Sequence, residues 1–592
     1  MLRKILFPTI LTILAYGFWV SPDFKEISAG VAIFLFGMLS LEEGFSAFTG
    51  GILERILRQS TNKMWKSLTF GFTAATVMQS SSLVSVITIS FLSAGLIGLV
   101  EGMGIIFGAN VGTTTGAWLI AGFGLKVKIS AYAMPMLVFG VVFIFQKSKS
   151  LKGIGYILAG LGFLFLGIHH MKEGFEAFQN QISLTDYAME GFAGVLVFTL
   201  IGILATIIMQ SSHATLVLVI TALSIHQVTY DNALALVIGA NVGTTITAII
   251  GSLTSNTDGR RLALADVLFK VSAGLVFMIM INPVTSMIEI IASFIGLAED
   301  DFTLKLAIFH TIFNISGVII MVPMINQLVH LVTKVMPERK IASTEAKYLN
   351  ESALELPDTA IESVRKEGVH LYNNAFAIIA HSLSLHRHDI LSDSDLKSIT
   401  KKSHQAIEID IDEEYQKSIK NLYSQIITYI SQAQMIMTPE QNDELFILRA
   451  ACRDIVEAIK DTKHLNKNMS KYIISDNKYI REEYNNIRVF LGEVLRQISI
   501  VEKDKNDPTA ILSLDTIHID MLEKDTTTNG MLEVLIREEK ITAQMATSLM
   551  NDSAYVNNVT KKLLQMAKAL FATGDLSMKV IERSLTLEAD DV

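Results

Sequence analysis

The chain reads as an all-α polytopic membrane protein with two inverted repeats containing re-entrant hairpins, followed by a soluble helical-bundle domain. Three observations predict this. Hydrophobic residues make up 50% of the 592 and charged residues 18%, and the two kinds are segregated along the chain. Membrane-length apolar runs fill roughly residues 1–335, whereas Lys, Glu, Asp, Asn and Gln dominate the remainder. Second, Met78-Gln79-Ser80-Ser81 and Gly108-Ala109-Asn110-Val111-Gly112-Thr113-Thr114 recur as Met209-Gln210-Ser211-Ser212 and Gly239-Ala240-Asn241-Val242-Gly243-Thr244-Thr245. Gln79 to Gln210 and Asn110 to Asn241 are both 131 residues, so a whole unit is duplicated. Third, the basic residues fall in clusters between the apolar runs, which sets the orientation of the crossings.

The elements follow in order. Residues 1–24 hold a first transmembrane segment, Leu6–Val20, retained because no small-residue cleavage site follows it. Residues 25–152 form the first repeat: Ile27–Phe48, a polar connection with Arg55, Arg58, Lys63 and Lys66, the first Gln-Ser-Ser segment, a span around Leu83–Val100, the first Asn-Val-Gly-Thr-Thr segment, and a span around Ile129–Phe145. Residues 153–335 hold the second repeat and the last span. They run from Ile154–Ile168 through the second motif pair and Arg260-Arg261 to Leu262–Ile281 and Leu304–Val322. Placing Arg3-Lys4, Arg55 to Lys66, Lys147 to Lys152, Arg260-Arg261 and Arg339-Lys340 on one side requires three full spans per unit, with the motif segments dipping in and returning. Three is odd, so the second unit sits upside down relative to the first, with a site near the midplane. Lys126 and Lys128 count against this scheme, and motif segments that cross fully are the rival topology.

From Ser67 to Gly124 the sole charged side chain is Glu101, and from Gly191 to Thr257 it is Asp231. Polar groups in hydrocarbon are costly unless paired or used. Helix glue is the bland explanation, but the repetition favours a shared polar site. Gly108, Gly112, Gly116, Gly239, Gly243 and Gly251 permit tight turns or close helix packing. A helix restarting there offers N–H groups that, with Ser and Thr hydroxyls, suit a small oxyanion. The same hydroxyls and the amide oxygens of Gln79, Gln210, Asn110 and Asn241 suit a hard cation. No Lys or Arg lies in either motif, so a co-bound cation would compensate an anion's charge. His213 stands where the first copy has Ser82, which breaks the pseudo-symmetry at the site. Asp266 and Lys270 stand i, i+4 as a mutually compensating pair.

These motifs, with Arg260-Arg261-Leu262-Ala263-Leu264-Ala265-Asp266 and Phe309-His310-Thr311-Ile312-Phe313-Asn314, resemble the bacterial sodium-dependent inorganic phosphate cotransporter family (Na/Pi), related to the animal type II cotransporters. The resemblance covers roughly residues 25–330. It implies two inverted repeats, with phosphate at the Gln-Ser-Ser turns and sodium nearby. Carried over, it puts Gln79, Ser80, Ser81, Gln210, Ser211 and Ser212 at the anion, with Ser82 and His213 completing the substrate set. It puts Asn110, Thr113, Thr114, Asn241, Thr244 and Thr245 at or beside the ions. His213 where a third serine is common, and Asp266 where histidine is common, are departures from the family pattern.

Residues 345–592 read as amphipathic helices at 3.6 periodicity, joined by short links including Asn506-Asp507-Pro508, hence antiparallel bundles. They resemble, more loosely, the PhoU-like regulatory domain often fused to this family. That domain's acidic metal motifs match Glu457 and Asp461, with Asp454 one turn earlier, although such pairs are common on any solvated helix face.

The expected function is a secondary transporter of the plasma (inner) membrane that couples inorganic phosphate to sodium as the co-transported ion, with a cytoplasmic regulatory helical domain. A phosphate-sensing membrane regulator and a sodium-coupled transporter of another small anion are the alternatives. The helical domain offers a surface for a regulatory partner or self-association. A net charge of −9 gives no sign of nucleic-acid binding, and Cys452 as the single cysteine rules out an internal disulfide. No base stands beside a nucleophile, which argues against an enzyme, and no cofactor signature is present.

Overall fold

The computed structural model describes residues 11–12, 14–49, 63–124, 130–179, 184–337, 345–392, 394–403, 405–503, 514, 516–517 and 530–571. Among them the regular elements are helices, with no strand. The start of the Leu6–Val20 run, Arg55, Arg58, Lys126, Lys128, Arg339-Lys340 and the Asn506-Asp507-Pro508 link lie outside the described residues. The chain forms two compact units, 1–339 with 350–352, and 340–349 with 353–592.

The first unit runs α1 (Pro22–Thr49), α2 (Met64–Met78), α3 (Ser81–Ser93), α4 (Leu99–Gly112), α5 (Thr114–Leu119), α6 (Ser130–Ile144), α7 (Lys149–Gln179), α8 (Gly191–Met209), α9 (Ser212–Ser224), α10 (Tyr230–Gly243), α11 (Thr245–Ser252), α12 (Thr257–Ile279), α13 (Ile281–Phe294), α14 (Phe302–Met321) and α15 (Ile325–Val335). Seven described helical stretches are long and apolar enough to cross a bilayer: Pro22–Phe45, Leu99–Gly122, Ser150–Ala177, Gly191–Met209, Tyr230–Ser252, Thr257–Ile279 and Phe302–Met321. The duplication is visible in the packing, since α2 lies along α4 as α8 lies along α10. It is visible in the backbone too. Gln79 and Gln210 share a left-handed conformation at φ 52° and 53°, and Gly95 and His226 share another at φ 68° and 58°.

Two sequence expectations change. Leu83–Val100 is not one span: α3 has 13 residues, about 20 Å of helix, short of the ~30 Å hydrocarbon core, and left-handed Gly95 follows its end. Conversely, the Asn-Val-Gly-Thr-Thr segments do not turn back. Thr113 and Thr244 keep right-handed helical angles, so each segment continues into stretches of 24 and 23 residues, long enough to cross. The glycines explain why. A β-carbon at Gly108 would overlap Leu68 O of α2, and one at Gly239 would overlap Thr199 O of α8. They serve close helix packing and not turns.

The second unit is helical around one apolar core. Its long members are α16 (Pro357–Ser382), followed after several short helices by α17 (Pro439–Tyr472), α18 (Lys478–Lys503) and α19 (Ala543–Phe571). α17 packs on both α16 and α19. The entering chain is pinned by Glu367 of α16, whose wholly buried carboxylate accepts from the N–H groups of Lys347 (2.9 Å) and Tyr348 (2.7 Å) and pairs with His370 Nδ1 (2.6 Å). Arg488 of α18 is also wholly buried. Its guanidinium donates to Leu383 O (2.8 Å), Ser384 O (2.8 Å), Thr400 O (3.4 Å) and Ser403 O (3.3 Å), satisfying orphan carbonyls at two helix ends. Burial lowers its pKa to about 10, so it stays charged at neutral pH.

Candidate functional site

The break in the backbone lies at the Gln-Ser-Ser turns. A β-carbon makes left-handed geometry unfavourable by about 1–2 kcal/mol, yet Gln79 and Gln210 both adopt it. The next residue in each case, Ser80 or Ser211, is extended and caps the following helix. Ser80 Oγ accepts from Leu83 N at 3.2 Å, and Ser211 Oγ from Ala214 N at 3.1 Å. This leaves the first N–H groups of α3 and α9, at Ser81–Ser82 and Ser212–His213, without an intrahelical acceptor. A chain reversal followed by an N-capped, uncharged helix start is a donor-rich pocket wall.

The threonines of the second motif face the other way chemically. Thr113 Oγ1 donates to Asn110 O (2.8 Å) and Thr244 Oγ1 to Asn241 O (2.6 Å). Thr114 and Thr245 do the same to Val111 O (2.7 Å) and Val242 O (2.8 Å). Each hydroxyl spends its proton on its own helix and keeps acceptor lone pairs for anything beside it. Asn110 and Asn241 are both buried but differ: Asn241 Nδ2 donates to Val237 O at 3.0 Å, whereas Asn110 Nδ2 has no hydrogen-bond partner among the described residues.

The two repeats meet here reciprocally. α5, from the second motif of the first repeat, packs on α9 of the second, and α11 of the second repeat packs on α3 of the first. Thr247 of α11 donates to Ser82 Oγ at 3.2 Å. Gln79 Nε2 donates to Thr76 O at 2.6 Å and to Thr115 Oγ1 at 3.3 Å, which joins the first and second motifs of one repeat. His213 stacks on Phe34 of α1, with ring centroids 6.1 Å apart, and its helix α9 packs on α14, which carries buried His310. His310 Nδ1 has no partner among the described residues. Ser82 and Thr247 thus meet at one inter-repeat junction, and His213 and Gln79 flank Gly116 at the other, while Gln210 is exposed. Thr115, Thr247 and Phe34 were not singled out from the sequence. The two threonines stand within three residues of the motif and were there to be found; nothing near Phe34 marks it.

Asp266 and Lys270 form a buried pair at 2.9 Å within α12. In the second unit Lys562 lies 2.7 Å from Asp461 and 3.4 Å from Glu457, and Arg453 lies 3.6 Å from Asp454. Among the described residues, Glu26, His170 and Glu173 of α1 and α7 bring three potential metal-ligand atoms within 4.8 Å of one another.

The chain is 26% identical over 348 residues to the candidate inorganic phosphate export protein YjbB of Salmonella typhimurium, and 25% to that of Escherichia coli K12. Each alignment covers 58% of this chain and 61% of the relative, so the chain matches under two thirds of those proteins. YqeW of Bacillus subtilis is 24% identical over 317 residues, 53% of this chain and 98% of its own length. No solved structure matches. A family profile described as Na+/Pi-cotransporter matches residues 33–173 and 184–306, which hold both copies of each motif. Over those two stretches, 264 of the 592 residues, the chain is similar to the Na+/Pi-cotransporter family.

Proposed function

We propose that the membrane-spanning unit moves inorganic phosphate across the plasma membrane together with sodium, through a site shared by the two repeats. The observation that carries this reading is the division of hydrogen-bonding character within each repeat. The Gln-Ser-Ser turns present N–H groups to an oxyanion, and the adjoining threonines present oxygen lone pairs to a hard cation. With no Lys or Arg in either motif, the cation offsets the anion's charge in a site screened from water. The likeness to the Na+/Pi-cotransporter family supports phosphate as substrate, and the name of the enteric relatives favours outward movement. The second unit, a PhoU-like helical domain on this reading, lies in the cytoplasm and regulates transport.

Radiolabelled phosphate flux in proteoliposomes under an imposed sodium gradient tests this. Ser81→Ala or Ser212→Ala removes a donor worth ~1–3 kcal/mol, so phosphate affinity should fall roughly 5- to 150-fold at saturating sodium. Asn110→Ala or Asn241→Ala should instead raise the sodium requirement and be partly rescued by more sodium. Sodium-independent flux, or unchanged phosphate affinity in both serine variants, would overturn the assignment.

A further inference from the structure

The two inter-repeat junctions occupy equivalent positions but use different chemistry. Ser82 and His213 are 131 residues apart, and so are Gly116 and Thr247. On one side Thr247 bonds to Ser82 at 3.2 Å, hydroxyl to hydroxyl. On the other, the same two positions hold Gly116 and His213, and the imidazole lies where a side chain at 116 would be. A β-carbon on Gly116 would overlap His213 Cε1 and come within 2.8 Å of its Nε2 and 2.5 Å of Gln79 Oε1. Neither neighbour is free to retreat. The ring stacks on Phe34 at an interplanar angle of 17°. The Gln79 carboxamide is fixed through its nitrogen to Thr76 O and Thr115 Oγ1, which leaves Oε1 facing the notch. Gly116 itself lies inside α5 without a left-handed φ, so the missing side chain is a matter of space and not of backbone freedom.

We propose that Gly116 and His213 are a matched pair that sets the shape and donor set of one half of the oxyanion site. Gly116 admits the imidazole, and a ring N–H supplies to the tetrahedral anion the hydrogen bond that the Ser82 hydroxyl supplies in the other half. Gly116 is therefore a positioning residue: it acts through His213 and Gln79 and need not touch the anion. The inference deepens the anion-site reading above and rests on it.

The test is a double-mutant cycle on the full-length protein, reading phosphate affinity by isothermal titration at fixed sodium and the thermal midpoint in detergent. Gly116→Thr should weaken phosphate binding by at least about tenfold, the cost of one misplaced donor, and lower the midpoint. Adding His213→Ser to it recreates the Ser82–Thr247 arrangement on the second side. The double variant should then bind phosphate more tightly than either single variant and regain the midpoint, a sign reversal that independent sites do not give. A double variant no better than Gly116→Thr alone, or a Gly116→Thr variant that binds as wild type does, overturns the pairing. Ser81→Ala serves as the control for the site itself. If it leaves affinity intact while the double variant regains only the midpoint, the pair is packing, and its role toward the anion is overturned along with the site.

Discussion

At the scale of single residues, the feature that organises the membrane unit is one torsion angle repeated. Gln79 and Gln210 were legible as polar residues in an apolar run, but their left-handed backbone was not, because glutamine has no preference for it and tertiary packing must impose it. Likewise, periodicity placed Asp552 on a helix without revealing that it is buried. It accepts from Tyr484 OH at 2.6 Å and Asn468 Nδ2 at 3.3 Å. Burial pushes its carboxyl up to about 6, against the lowering effect of those two hydrogen bonds. A raised folded-state pKa means that the native state holds the proton more tightly than the unfolded chain. Its contribution to stability is complete below about pH 4 and is lost as pH rises through about 6. Asp552→Asn keeps an acceptor for Tyr484 without the charge. It should stabilise the helical unit on the order of 1–3 kcal/mol at pH 8 and little at pH 4. Hydrogen exchange of the segments around Asn468, Tyr484 and Asp552 at the two pH values measures this; an unchanged pH dependence would refute it.

At the scale of elements, the long apolar helices were legible by composition, and the pairing of motif copies by their spacing. The assignment of dipping and crossing segments was not. Glycine in Gly108-x-x-x-Gly112 is compatible both with a turn and with close packing, and what decides is whether α2 lies against that face, a long-range fact. Close packing yields a sharp contrast. Gly108→Ala and Gly239→Ala drive a β-carbon into a neighbouring backbone carbonyl and should each cost about 1–3 kcal/mol or more. Gly122→Ala meets nothing within 4 Å and should leave the midpoint unchanged. Thermal unfolding of the three variants in detergent, with recovery of monodisperse protein, checks this. Equal behaviour of Gly108→Ala and Gly122→Ala would show that α2 and α4 do not meet closely.

At the scale of the whole molecule, the division into an apolar unit and a polar helical one was plain from composition, whereas the inverted orientation of the repeats is an expectation from the basic residues that thiol labelling checks. In a Cys452→Ala background, Lys63→Cys and Glu190→Cys precede equivalent helices, α2 and α8. Opposed repeats require an impermeant thiol reagent to label Glu190→Cys and spare Lys63→Cys from outside, and labelling of both from one side would show parallel repeats. The reciprocal junctions carry a further consequence. Were the two repeats separate, identical polypeptides meeting about a two-fold axis, position 82 of each copy would face position 116 of the other, and both contacts would be compelled to be the same. A serine–threonine contact and a histidine–glycine contact cannot coexist in such a homodimer. Joining the copies into one polypeptide releases each junction to change alone, and this chain has used that freedom at the place where its two halves touch.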